Sequence, residues 1–71
     1  METIKLGSQG ESVKTLQKLL KSAGYNLQVD GIFGKITEEI VKLFQKKAWL
    51  KADGICGSKT WDVLNSSKPA A

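Results

Sequence analysis

Histidine and arginine do not occur in this 71-residue sequence, cysteine and proline occur once each, and aromatic residues make up only 7%. With Cys56 alone and no histidine, neither an intrachain disulfide nor an ordinary zinc ligand set can be assembled. The same absences remove the Ser-His-Asp and Cys-His arrangements of nucleophilic enzymes. No Walker loop is spelled, so the sequence points to no catalytic residue, no metal and no cofactor. Lacking arginine, the chain has no planar, bidentate reader of guanine edges or phosphates. No apolar run is long enough to span a bilayer. Met1 to Leu6 is not followed by the apolar centre of a signal peptide, so any export signal is expected elsewhere.

What is present is ordinary globular material, with 41% hydrophobic and 25% charged residues. A chain of this length buries only about 60% of the surface its unfolded form exposes, which implies one small domain with a thin core. Eleven lysines against seven acids give a net charge of +4. That excess favours encounter with an anionic partner such as nucleic acid, a membrane surface or a bacterial wall, and lysine point charges suit a general anionic surface better than a sequence-reading site.

Apolar residues at Val13, Leu16, Leu19, Leu20 and Ala23 recur at helical spacing, with Glu11 in the first turn and Gly24 at the C-terminal cap, and predict a helix over roughly Glu11 to Ala23. From Lys35, the residues Ile36, Ile40, Val41, Leu43, Phe44 and Ala48 repeat that period and predict a second helix to about Lys47. A third, over Ser58 to Asn65, is expected to be capped by Ser58 and to bury Trp61 and Leu64. The final Ser-Ser-Lys-Pro-Ala-Ala is too small and polar to pack, so residues 1–65 are read as the domain and 66–71 as a linker or disordered tail.

Between the helices the sequence repeats itself. "LQVDGIFGKITEEIV" (Leu27 to Val41) and "LKADGICGSKTWDVL" (Leu50 to Leu64) share Leu, Asp-Gly-Ile, Gly and Thr at identical offsets, and Gly7 to Gly10 echoes the glycine spacing before the first helix. In each corner Asp30 or Asp53 can accept backbone N–H groups across an Asx turn. Gly31 or Gly54 permits positive φ, the isoleucine is expected to turn inward, and Gly34 or Gly57 opens the helix. Thr37 and Thr60 can bond back toward their loops. The predicted fold is therefore all-α, a compact three-helix bundle with two related Asp-Gly-x-x-Gly loops.

The segment Leu6 to Leu64 resembles the type 1 peptidoglycan-binding domain, a three-helix module attached to bacterial and phage cell-wall hydrolases. The resemblance rests on L-G-x-x-G-x-x-V-x-x-L-Q (Leu6 to Gln17), Gly24-Tyr25, D-G-x-F-G-x-x-T (Asp30 to Thr37), Phe44-Gln45, and D-G-x-x-G-x-x-T-W (Asp53 to Trp61). Lys35 and Ser58 stand where many relatives carry proline at the first helical position. The resemblance implies a PGBD-like fold and non-catalytic binding of peptidoglycan, through its glycan strand or its stem peptide. It implies an extracellular or wall-associated setting and a tethered catalytic domain such as an amidase, peptidase or endolysin, with no nucleic-acid or membrane partner and a monomeric state. A tether raises the enzyme's local concentration on a repetitive polymer, so modest affinity suffices.

Sugar rings present C–H faces to aromatic side chains, and stem peptides present carboxylates and amides to lysines and backbone N–H groups. The candidate ligand-binding residues are Tyr25, Asp30, Gly31, Phe33, Gly34, Trp49, Asp53 and Gly54. Phe33, at a loop tip between glycines, is the first choice for contact. Tyr25 and Trp49 are each open between packing and contact, and Trp61 is expected in the core. Gln17 and Gln45, each following a core residue, are expected to bond to loop backbone. Cys56 is read as a small buried hydrophobe. Asp30 and Asp53 sit in equivalent environments, unlike the acid and carboxylate of a glycosidase, whose pKa values are pushed apart. Two other readings remain: a protein-interaction or pro-domain module of a hydrolase, and a basic three-helix nucleic-acid binder.

Overall fold

A computed structural model describes residues 2–66. They form three helices, α1 over Glu11–Ser22, α2 over Lys35–Lys47 and α3 over Ser58–Ser66. Among the described residues the only β pairing is two isolated antiparallel bridges, Ile4 with Cys56 and Gln9 with Ile32. Ser66, assigned by composition to the tail, is the last residue of α3, and residues 67–71 lie outside the described residues.

Each helix begins at a glycine. The carbonyls of Gly10, Gly34 and Gly57 accept the N–H groups of Lys14, Glu38 and Trp61 at 3.1, 2.9 and 3.0 Å. Ser58, expected as a cap, is instead the first residue inside α3. Glu11 near the start of α1, and Lys21, Lys46 and Lys47 in the last turns, complement the helix dipoles. α1 and α2 also end alike. Beyond α1, the N–H groups of Gly24 and Tyr25 donate to Lys21 O and Leu20 O at 3.0 and 3.1 Å. Beyond α2, those of Trp49 and Leu50 donate to Lys46 O and Gln45 O at 3.2 and 2.8 Å. Both are Schellman closures, which need a left-handed residue just past the cap. Gly24 fills that place after α1 and Trp49, at φ 63°, fills it after α2.

α1 is the central element and packs against both α2 and α3. Val13, Leu16 and Leu20 meet Val41 and Phe44 from α2 and Trp61 and Leu64 from α3, while the connecting segments add Ile4, Leu27, Phe33 and Cys56. Burying each large apolar side chain of such a core is worth about 1.5–3 kcal/mol. Trp61 lies in the core as the spacing predicts, and its Nε1–H donates to Glu2 O at 2.8 Å. Tyr25 is half-buried and meets Phe44 edge to face, with ring centroids 6.5 Å apart.

Two expectations fail. Ile36 and Leu43, read as buried positions of α2, are 66% and 56% exposed. Ala23 is exposed as well. The apolar residues of α2 cover a wider arc than its packing against α1 closes over. The loop isoleucines also face the wrong way for plugs: Ile32 is 52% exposed and Ile55 is exposed, whereas Phe33 and Cys56 point inward. Extended backbone sends successive side chains to opposite sides. The parity is set by the N-terminal segment, where Gly7 N donates to Phe33 O and Phe33 N to Ser8 O, both at 2.9 Å. Cys56 is fixed likewise by a reciprocal pair with Ile4, at 3.1 and 2.8 Å.

Candidate functional site

The two Asp-Gly corners are each organised by a buried glutamine on the preceding helix. From α1, Gln17 Nε2 donates to Asp30 Oδ1 at 2.9 Å, Ile32 O at 3.1 Å and Thr37 Oγ1 at 3.2 Å, while its Oε1 accepts the Gly31 N–H at 2.9 Å. From α2, Gln45 Nε2 donates to Asp53 Oδ1 at 3.1 Å, Ile55 O at 2.8 Å and Thr60 Oγ1 at 3.0 Å, and its Oε1 accepts the Gly54 N–H at 3.0 Å. An amide has two N–H donors, so one hydrogen in each hub is shared between acceptors. The glutamines therefore bond to the loop backbone, as expected, and also to the aspartate and threonine. Each threonine hydroxyl reaches its loop through the glutamine.

Asp30 and Asp53 also accept the Ile32 and Ile55 N–H groups at 3.0 and 2.9 Å, closing the expected Asx turns. The Gln17 amide, then the Ile32 N–H, hold the Asp30 carboxyl below its ordinary pKa. For Asp53 the Ile55 N–H is the larger cause of the same downward shift, with the Gln45 amide adding to it. Two carboxyls with matching partners, both shifted downward, are ionised near neutral pH. Burial pushes the Cys56 thiol up to about 12, so this side chain is a packed hydrophobe with no thiolate at physiological pH.

Gly31 and Gly54 hold φ at 77° and 75°. A Cβ on Gly31 would lie 3.2 Å from the Lys14 stem, and one on Gly54 would lie 3.0 Å from both Glu38 Cγ and Lys42 Cε. These two glycines are buried against helix side chains. Gly34 is different, with extended backbone at φ −98° and open space around the position of its missing Cβ.

Outside each corner runs a groove. The first, of about 990 Å³, is lined by Asp30, Ile32, Gly34 and Thr37, with Lys21 and Lys35 on its rim. The second, of about 430 Å³, is lined by the equivalent Asp53, Ile55, Gly57 and Thr60, with Lys51, Lys59 and Trp49. The repeated sequence thus folds into two repeated surfaces. Each is cationic in balance, because it carries two lysines and one carboxylate already engaged by N–H donors.

The sequence-derived candidates divide accordingly. Asp30 and Gly34 line the first groove, and Asp53 and Trp49 the second. Phe33, the first choice for contact, is 1% exposed and belongs to the core. Tyr25 lines a separate depression with Leu43, Lys46 and Lys47. The groove lysines were not singled out from the sequence, and neither were the exposed Ile32 and Ile55. One signal was present: Glu11 to Lys18 reads ESVKTLQK and Glu39 to Lys46 reads EIVKLFQK, identical at five of eight positions. The helix segments repeat 28 residues apart and the loops 23 apart, so each glutamine and each loop isoleucine has a counterpart, whereas the groove lysines do not: Lys35 corresponds to Ser58 and Lys59 to Ile36.

Residues 9–64 match the family described as "Putative peptidoglycan binding domain". The chain belongs to this family. It is 41% identical over 71 residues to a probable N-acetylmuramoyl-L-alanine amidase of Bacillus licheniformis, a match covering 96% of this chain and 20% of that protein. Its fold superposes on the SleB N-terminal domain with a TM-score of 0.91 at 39% identity, covering 96% of this chain and 94% of that one. A Burkholderia AP3 phage endolysin aligns with a TM-score of 0.90 at 40% identity, over 97% of this chain and 27% of that one. The chain spans about a fifth to a quarter of the length of the curated relatives it matches first.

Proposed function

We propose that this chain is a non-catalytic module that binds bacterial peptidoglycan on its grooved face and holds an attached cell-wall hydrolase at its substrate. The observation that carries this reading is the pair of equivalent grooves, each bearing two lysines beside an Asp-Gly corner, in a chain of this family. Peptidoglycan is a repeating polymer that offers sugar faces and peptide carboxylates in many copies, a ligand suited to shallow, cationic, repeated sites. Two ionised aspartates with the same partners supply no proton-donating acid, and Cys56 supplies no thiolate. In this reading the module acts as a monomer outside the cell or in the wall, and its partners include neither nucleic acid nor membrane.

Co-sedimentation with purified sacculi, set beside a mobility shift with duplex DNA at physiological salt, tests the proposal. The expected result is pelleting with sacculi and no shift. A DNA shift without pelleting overturns it.

A second reading, docking onto a protein domain, is favoured by one observation. Leu43 is 56% exposed on α2, in a depression with Tyr25 that lies outside both grooves. Leu43→Lys separates the two readings: sacculus binding survives the change, whereas association with a catalytic domain through this face does not.

A further inference from the structure

The second groove carries one feature that the first lacks, and it rests on an unfavourable backbone. Trp49 stands in the left-handed place of the closure after α2, at φ 63°, where the equivalent residue after α1 is Gly24. It is the one non-glycine residue with positive φ among the described residues. A Cβ in this region crowds the following carbonyl oxygen, and the strain is usually relieved by glycine or, less often, by asparagine or aspartate. Internal packing does not offset that strain, because the Trp49 side chain is 95% exposed. A large aromatic ring held in solvent on strained backbone, at the rim of a groove, is the pattern of a residue retained for contact with another molecule.

The groove's chemistry narrows what that molecule is. Trp49 shares the lining with Lys51 and Lys59, while Asp53 Oδ1 is occupied by the Ile55 N–H and the Gln45 amide. An indole face accepts the C–H face of a pyranose ring, and two ammonium groups beside it attract a carboxylate. We propose that the second groove binds a sugar bearing a carboxylated peptide, with the ring stacked on Trp49 and the carboxylate held by Lys51 and Lys59. The inference rests on the peptidoglycan reading and deepens it, since it selects one groove and one chemical unit. The first groove has no aromatic residue in its lining and lacks the stacking surface.

The test compares Trp49→Gly, Trp49→Phe and Lys51→Glu/Lys59→Glu with the unaltered chain. Sacculus retention, affinity for a disaccharide-peptide released from sacculi by a muramidase, and Tm are measured for each. Trp49→Gly is expected to raise Tm by about 4 °C, because the strain is relieved and no packing is lost. The same variant is expected to weaken binding by roughly three- to tenfold, the worth of one aromatic contact. Trp49→Phe keeps a stacking ring and stays within about threefold of the unaltered chain. The lysine double variant loses affinity for the disaccharide-peptide at unchanged Tm. Undiminished binding by Trp49→Gly overturns the proposal, as does a loss of binding that tracks a fall in Tm. Failure of the unaltered chain to bind sacculi removes the peptidoglycan reading and this inference together, whereas its binding with an indifferent Trp49→Gly removes this inference alone.

Discussion

Gln17 and Asp30 lie thirteen residues apart in the chain and meet through a 2.9 Å hydrogen bond, so that a helix and the loop beyond it are tied by one amide. Gln45 and Asp53 repeat the tie at 3.1 Å across eight residues. Both glutamines are almost fully buried, and among the described residues no buried side-chain nitrogen or oxygen lacks a partner.

Truncating either hub is therefore costly. Gln17→Ala strands the Gly31 N–H and removes donors from Asp30, the Ile32 carbonyl and Thr37, which implies a loss of about 2–3 kcal/mol. A domain of this size holds only about 4–10 kcal/mol in total, so Gln17→Ala/Gln45→Ala is expected to be largely unfolded. Urea melts followed by circular dichroism measure both, and a single-variant cost below about 1 kcal/mol would contradict the hub role.

Acid acts on the same ties. Because Asp30 and Asp53 titrate below their ordinary value of 3.8 in the fold, the unfolded chain binds more protons in the acid range and stability rises with pH there. Their contribution is present above that ordinary value and is lost as pH falls through the lower native values. Tm should be level from neutral pH down to about 4 and fall beneath it. Asp30→Asn, which keeps an oxygen acceptor for the Ile32 N–H, should reduce the slope of that fall, and an unchanged slope would show that other groups dominate.

The first glycine of one corner and the second glycine of the other should respond unequally to substitution. Gly54→Ala combines φ of 75° with contacts of 3.0 Å to Glu38 and Lys42, and is expected to cost about 1–2 kcal/mol. Gly34→Ser meets open space on extended backbone at a helix cap, where serine is a preferred residue, so stability should move by no more than about 0.5 kcal/mol. Thermal melts of the pair decide the point; equal losses would mean that both glycines are conformational requirements.

Cys56 reports on opening of the fold. Fully buried and with its pKa pushed up to about 12, the thiol should resist a thiol reagent at pH 8 in the native chain and react at once in denaturant. Labelling in increasing urea should follow the unfolding transition, and rapid labelling without denaturant would contradict the packing described.

The sequence alone determined the three helices, their glycine starts and the doubled corner, because helical period and glycine or aspartate turn chemistry are local properties. The Asx turns, the buried Trp61 and the inert Cys56 were legible for the same reason. The glutamine hubs were half legible: ESVKTLQK and EIVKLFQK repeat 28 residues apart, whereas the loops repeat 23 apart, so no single period displays helix and loop as one unit.

Tertiary structure alone decided which neighbour in Gly-Ile-Phe-Gly and Gly-Ile-Cys-Gly turns inward. Both residues of each pair are apolar, alternation allows either parity, and only pairing with the segment Ile4 to Gly10 selects Phe33 and Cys56. Ile36 and Leu43 were undecided for a related reason, because an apolar stripe on a helix is buried only as far as neighbouring elements cover it. The exposure of Trp49 belongs here too: the backbone conformation after α2 is fixed by carbonyls four and three residues back, and the direction in which that closure throws its side chain is a property of the assembled bundle.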